Sequence, residues 1–346
     1  MLVYTKQYIE DLQKIKTTIP NVEKLCNKKI AITGATGLIG SAIVDFLMEM
    51  NHSNNAGIEI YAAGRSEERV NNRFQRWVED AEFHFLQYDA EKTVCLDQEV
   101  DFIIHGASNA HPNIFVKEPV DTMLANINGT QNLLECLRCK KAKRLLYISS
   151  SEVYGKKDSN TPYKEDEYGY VDLLNPRACY PISKRAAETL CASYINQYNI
   201  DAVIVRPGHI YGPTMTDSDS RASSQFPREV KHGQDIVMKS AGTQMRSYCY
   251  VLDCVAAIIT VLLNGKKGEA YNISNKNSIV NIREMAESFA RASKHKVVFE
   301  KAKDAEIKGY NLMDNSSLDS EKLEGLGWTG LFDMSAGAWR TLEAMR

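Results

Sequence analysis

From Lys29 onward, short apolar runs alternate with longer stretches of mixed polarity. Ile30 to Thr33, Ile58 to Ala63, Phe83 to Tyr88, Phe102 to His105, Leu145 to Ser149 and Ala202 to Arg206 each read as a strand. Runs that are apolar almost throughout belong to strands covered on both faces. Gly40 to Met50, Val120 to Cys139 and Tyr180 to Tyr198 read as the intervening helices. Strands alternating with helices predict an α/β fold with a doubly wound parallel sheet. Residues 1–28 carry a helical pattern of polar and apolar positions. They are expected to pack on the main domain or to meet a partner. After Gly212 the texture changes, and Thr214 to Ser224, rich in Ser, Thr and Asp, reads as a loop. Short helices and strands beyond it predict a smaller C-terminal α/β lobe. The expected division is an N-terminal extension over 1–28, a main sheet domain over 29–212, and a lobe over 213–346 from which part of the chain returns to the sheet.

The chain has 346 residues, 44% hydrophobic and 25% charged, with a formal net charge of −2. That balance gives no global basic field for nucleic acid or an anionic membrane. No apolar run reaches the roughly 20 residues of a membrane-spanning helix, and Met1 to Lys16 lacks a basic start followed by an apolar stretch. These features predict a cytoplasmic protein. Cys26, Cys95, Cys179, Cys191, Cys249 and Cys254 are scattered and suit reduced thiols. Cys136 and Cys139 have metal-like spacing, but they fall one turn apart in a helical pattern with no second pair at ligand spacing. No metal site is expected.

The first strand runs into Gly34-Ala35-Thr36-Gly37-Leu38-Ile39-Gly40 and then a helix. A glycine triplet alone is a weak signal and often a flexible turn. Between a strand and a helix, it permits a tight turn, close approach of backbone to a pyrophosphate, and close helix–strand packing. The helix N-terminus adds free N–H groups and partial positive charge. A Rossmann-type sheet binding NAD follows, with the cofactor held at Gly34, Thr36, Gly37, Leu38, Ile39 and Gly40. The second strand ends Ala63-Gly64-Arg65-Ser66, without the acid that holds an NAD ribose. Arg65 keeps NADP open. Asp89 and Ala90 are expected at the adenine, and Ala107 and Ser108 along the nicotinamide wall.

Tyr180 and Lys184 stand at i and i+4 at the opening of a helix, hence on one face. Such a pair is frequently mere helix surface. Here it follows Ser149-Ser150-Ser151-Glu152-Val153-Tyr154-Gly155 at the end of a strand. A nearby ammonium and the positive charge of the nicotinamide favour phenolate and lower a tyrosine toward a useful base. Ser150 is the expected hydroxyl partner of the reacting oxygen.

Together with Arg206-Pro207, Tyr211-Gly212-Pro213, Arg246, Tyr250-Val251-Leu252-Asp253 and Tyr271-Asn272-Ile273-Ser274-Asn275, these motifs resemble the extended short-chain dehydrogenases. That family comprises the nucleotide-sugar epimerases, dehydratases and decarboxylases. The resemblance runs from about Lys29 to the C-terminus. It implies that Tyr180 takes the proton of the sugar 4-hydroxyl during oxidation, with Lys184, Ser150 and Glu152 completing the catalytic group. It implies Ser151, His209, Arg221 and Arg246 as contacts of a nucleotide-sugar substrate. Family members often carry Asn where this chain has His209. Ser151-Glu152 lacks the Asp of many 4,6-dehydratases, and with Asn175-Pro176-Arg177-Ala178-Cys179-Tyr180 it most resembles UDP-glucuronate decarboxylases. A 4,6-dehydratase or 4-epimerase is the alternative, and a non-catalytic dinucleotide-binding regulatory protein is the alternative of another class. A homodimer is expected, through second apolar faces on the helices Val120 to Cys139 and Tyr180 to Tyr198.

Overall fold

A computed structural model describes residues 2–92, 96–108, 110, 112–300 and 313–345; Cys95 lies outside them. The strands are β1 (Lys29–Thr33), β2 (Glu59–Gly64), β3 (Phe83–Gln87), β4 (Val100–His105), β5 (Ala142–Ile148), β6 (Ala202–Pro207), β7 (His209–Tyr211), β8 (Ile236–Met238), β9 (Met245–Tyr250), β10 (Ala270–Ile273), β11 (Ile279–Asn281), β12 (Val297–Phe299) and β13 (Asn315–Ser316). The helices are α1 (Lys6–Lys16), α2 (Leu38–Asn54), α3 (Glu67–Arg73), α4 (Pro112–Lys117), α5 (Pro119–Arg138), α6 (Cys179–Tyr198), α7 (Ala222–Lys231), α8 (Val251–Asn264) and α9 (Ile282–Ser293), with two more, Glu321–Glu324 and Met334–Glu343, near the C-terminus.

The main sheet runs β3-β2-β1-β4-β5-β6-β10, and every pairing in it is parallel. Alternate residues of each strand feed opposite layers. Ile30 and Ile32 join a core with Phe46 and Leu47 of α2, Ile258 and Ile259 of α8, and Leu12 of α1. Ala31 between them faces a second core built with Leu133 and Leu134 of α5 and Ala187 and Cys191 of α6. Each fully buried aliphatic side chain contributes about 1.5–3 kcal/mol. The sheet is thus the expected doubly wound Rossmann-type one. The strand order reverses between β1 and β4, which opens a crevice at the carboxyl ends of the strands.

Residues 2–28 belong to this body. Thr5 caps α1 by accepting from the Tyr8 amide. Asp45 of α2, fully buried, accepts from the hydroxyls of Tyr4 (2.6 Å) and Tyr8 (3.1 Å), from Arg73 Nη2 (2.7 Å) and from Trp77 Nε1 (3.1 Å). Four donors satisfy a carboxylate whose isolated burial would be costly.

The smaller lobe is built on β9, which pairs with β11 antiparallel and with β7 and β13 parallel. The chain crosses between the two bodies at once after β6, because β7 already belongs to the lobe, and it returns as β10 beside β6. The loop after Gly212 ends at Arg221, where α7 begins. Among the described residues no helix is long and apolar enough to cross a membrane, and no group of three metal-ligating side chains forms.

Candidate active site

The first wall of the cleft is the turn from β1 to α2. Gly34 adopts φ +71°, and the Gly37 amide donates to its carbonyl at 3.0 Å. A Cβ on Gly40 would lie 2.2 Å from the Gly34 carbonyl oxygen, so only glycine lets α2 begin this close to the turn. Gly37 caps α2 with no side-chain bond, leaving first-turn amides open to an anion. Thr33 Oγ1 lies 2.7 Å from His105 Nδ1 and accepts from the Ala107 amide at 3.2 Å, tying the end of β1 to that of β4. Burial beside Lys184 pushes His105 down to about 3, so it is neutral. Ser108 Oγ is buried with no partner among the described residues. Arg65 is exposed, and Ser66 spends its hydroxyl capping α3 by accepting from the Arg69 amide. Asp89 lies 3.8 Å from Lys92 Nζ, and Ala90 packs against Gly129 of α5.

The second wall comes from β5 and α6. Ser150 lies two residues past the end of β5 and caps the short turn Ser151–Tyr154, its hydroxyl accepting from the Glu152 amide at 3.2 Å. Arg177 grips Glu152 with both terminal nitrogens, Nη1 to Oε2 and Nη2 to Oε1, each at 2.9 Å. The Arg177 guanidinium lies over the Phe115 ring at 4.9 Å, and Phe115 stacks on Tyr180 with centroids 4.5 Å apart at 18°.

The expected depression of Tyr180 by Lys184 is not what the protein alone displays. Lys184, 3% exposed, donates to the Ile148 carbonyl at 2.9 Å and lies over the Tyr147 ring at 4.8 Å, against 5.8 Å for Tyr180. Burial pushes Lys184 down to about 7, offset in part by Glu188. Burial, together with the Glu152 charge, pushes Tyr180 up to about 12, while the Ser150 hydroxyl, Arg221 and Arg177 pull it down. Desolvation wins because both groups sit in the packed body between α4, β5 and α6.

The third wall belongs to the lobe. His209 opens β7, meets Tyr248 edge-on at 5.7 Å, and keeps Nδ1 buried with no partner among the described residues. Burial and the charges of Arg246 and Arg221 push it down to about 3, so this histidine presents a neutral ring. Arg221 is held by Asp219, Nη2 to Oδ2 at 2.6 Å and Nε to Oδ1 at 3.0 Å. Arg246, 3% exposed, donates from Nη1 to the Met245 carbonyl at 2.8 Å and forms no ion pair with a described carboxylate. A buried guanidinium that only more distant carboxylates, Glu152 and Asp314, offset favours an anionic ligand.

One cleft is therefore lined by Gly34, Gly37, Leu38, Ile39, Gly40, Ser108, Ser150, Ser151, Glu152, Tyr180, Lys184, His209 and Arg221. Thr36, Arg65, Asp89, Ala90, Ala107 and Arg246 stand off its wall, although Arg246 acts electrostatically on His209. Sequence reasoning missed Phe115, Asp219 and the pairing of Arg177. Arg177 lay inside a run already singled out, whereas Phe115 carried no motif at all.

Comparison with known proteins agrees with this geometry. Residues 30–274 match the model of the NAD dependent epimerase/dehydratase family. UDP-glucuronic acid decarboxylase 3 of Arabidopsis thaliana is 34% identical over 267 residues, 77% of this chain and 75% of that protein. UDP-glucuronic acid decarboxylase 1 of Danio rerio is 30% identical over 270 residues, 78% of this chain and 62% of that protein. UDP-glucuronic acid 4-epimerase from Bacillus cereus, solved with UDP-glucuronic acid and NAD, shares the fold with a TM-score of 0.76 at 24% identity, over 92% of this chain and 98% of that one. A match running from β1 through β10, across the glycine turn and the Tyr180–Lys184 helix, makes the chain a member of the NAD dependent epimerase/dehydratase family.

Proposed function

We propose that this chain is an NAD-dependent enzyme that modifies a nucleotide-linked sugar by transient oxidation at carbon 4, most like a UDP-glucuronic acid decarboxylase. The observation that carries the reading is the meeting of Tyr180, Lys184, Ser150 and Glu152 in one cleft with the glycine turn at the start of α2. That turn fits a dinucleotide, since Gly34 and Gly40 leave a cradle that a Cβ would fill and the first amides of α2 are uncapped. The amides of Leu38 and Ile39 would hold the pyrophosphate, Lys184 the nicotinamide ribose, and Asp89 with Ala90 the adenine. NADP remains an alternative cofactor through the exposed Arg65. Residues 29–212 mainly serve the dinucleotide and 213–346 mainly the nucleotide sugar.

Bound nicotinamide supplies a reversible two-electron acceptor and a positive charge. The chain does the rest. Ser150 bonds the sugar 4-oxygen, and Tyr180 takes its proton as the alcohol becomes a ketone. A ketone at carbon 4 acidifies carbon 5 and makes a 6-carboxylate a β-keto acid. Carbon dioxide then leaves, the electrons of the broken bond forming an enolate that is reprotonated at carbon 5. Reduction of the ketone, with Tyr180 returning its proton, closes the cycle. Arg246, Arg221 and the neutral His209 hold the nucleotide diphosphate. Glu152 faces the carbon-5 side. Both its oxygens are engaged by Arg177, which holds the carboxylate in place to orient the sugar and to help return a proton to the enolate at carbon 5.

The test is incubation with a panel of nucleotide sugars followed by mass spectrometry. Loss of carbon dioxide from UDP-glucuronic acid is the expected result. Loss of water or an unchanged mass with inverted carbon 4 assigns a dehydratase or an epimerase, and bound cofactor without turnover assigns a regulatory protein. We further propose a cytoplasmic homodimer paired through α5 and α6, since Val120 and Leu124 of α5 are 65% and 46% exposed. Light scattering at micromolar protein checks it, and a monomer mass overturns it.

A further inference from the structure

We propose that Arg177 is a positioning residue of this site, fixing the Glu152 carboxylate through a two-point bond and the Tyr180 phenol across the Phe115 ring. The proposal rests on the roles given to Tyr180 and Glu152 above.

The local sequence prepares Arg177 for this task. Asn175 accepts from the Arg177 amide at 3.0 Å, and Pro176 opens the short turn Pro176–Ala178 that leads straight into α6. The backbone beneath the side chain is thereby set before the side chain orders. The Cys179 thiol donates to the Phe115 carbonyl at 3.8 Å and fastens α4 to the start of α6. Phe115, 2% exposed, is then stacked by Tyr180 and capped by the Arg177 guanidinium. A planar guanidinium suits both contacts: its fork matches a carboxylate and its face lies on an aromatic ring.

Arg177 does not line the cleft, whereas Glu152, Phe115 and Tyr180 do. Its Nε is buried with no partner among the described residues, and both its terminal nitrogens are engaged by Glu152. It therefore acts through its neighbours. Without it the Glu152 charge near Tyr180 would lose its paired cation and be opposed only at longer range by Arg221; Tyr180 also feels Ser150 and has Lys184 near its ring. Glu152 pushes Tyr180 up and Arg177 pulls it down, so the pair holds the phenol's ionisation in balance.

The test uses the full NAD-loaded protein with UDP-glucuronic acid, in Arg177→Met, Arg177→Lys, Glu152→Gln and the Arg177→Met/Glu152→Gln double variant. Arg177→Met should lower kcat ~100-fold with KM little changed. It should also move the rise of activity upward by about one pH unit. Glu152→Gln should move that rise downward, and in its background Arg177→Met should cost several-fold less than in the wild type, the remaining loss being the part exerted through Phe115. Arg177→Lys, which keeps the charge but not the fork, should lose kcat while keeping the wild-type pH profile. An equal loss from Arg177→Met with and without Glu152, an unmoved profile, or wild-type kcat in Arg177→Lys overturns the proposal. Should the wild type not turn over UDP-glucuronic acid, the functional reading fails by itself. The positioning role is then read from Tyr180 ionisation, as phenolate ultraviolet absorbance relative to matching Tyr180→Phe proteins. Opposite displacements by Arg177→Met and Glu152→Gln sustain it, and no displacement overturns it.

Discussion

Replacing Lys184 with Met should make the ligand-free protein more stable and the enzyme nearly inactive. Lys184 is 3% exposed, and its ammonium finds a carbonyl and an aromatic ring but, among the described residues, no carboxylate within ion-pair distance. Burial takes it from the ordinary 10.5 to about 7. An unfolded chain keeps the ordinary value, so at and below pH 7 unfolding is favoured by about 5 kcal/mol through this one proton. The penalty is full below pH 7, fades as pH rises from about 7 to 10.5, and vanishes above. Met relieves it and loses about 1 kcal/mol for the bond to Ile148, leaving a net gain of a few kcal/mol and of several degrees in Tm. Thermal melts of both proteins across this range should show Lys184→Met ahead at pH 7 and the gap closing toward pH 10.5. Turnover should fall by ~100-fold or more, because the group that costs stability is the one the chemistry uses. A variant that melts below the wild type at pH 7, with a gap independent of pH, refutes the reasoning.

Tyr180→Phe should lower turnover ~100- to 10,000-fold while leaving cofactor bound after gel filtration; a near-normal rate would remove Tyr180 from the mechanism. Glu152→Gln should still oxidise carbon 4 and let reduced cofactor build up, followed in the nicotinamide absorbance band. Turnover at the wild-type rate, or failure to bind substrate, would show that Glu152 has no role after the oxidation step. Gly40→Ala places a methyl group 2.2 Å from the Gly34 carbonyl oxygen and should weaken NAD binding by roughly tenfold or more, as the start of α2 is forced off the turn. Calorimetry giving an unchanged Kd would show that the turn does not form the cofactor site.

The order of elements was legible because it rests on local regularities. Strand β1 could be read from Ile30 to Thr33, and the helices α5 and α6 to within a residue of where they lie. The glycine turn and the Tyr180–Lys184 face were equally legible, since a turn needs its own glycines and a helix repeats every 3.6 residues whatever surrounds it. Ionisation and pairing were not. Glu152 meets Arg177 across 25 positions of sequence, and Phe115 reaches Tyr180 only because α4 is fastened to the start of α6. Burial in the fold takes Tyr180 up to about 12 and Lys184 down to about 7, shifts that the spacing of the two residues does not display. His209 is neutral because burial beside two arginines disfavours its charged form, which no local pattern displays. The chain's own spacing decides which side chains share a face. Water exclusion and charge at a distance belong to the packed whole, and only the tertiary structure sets them.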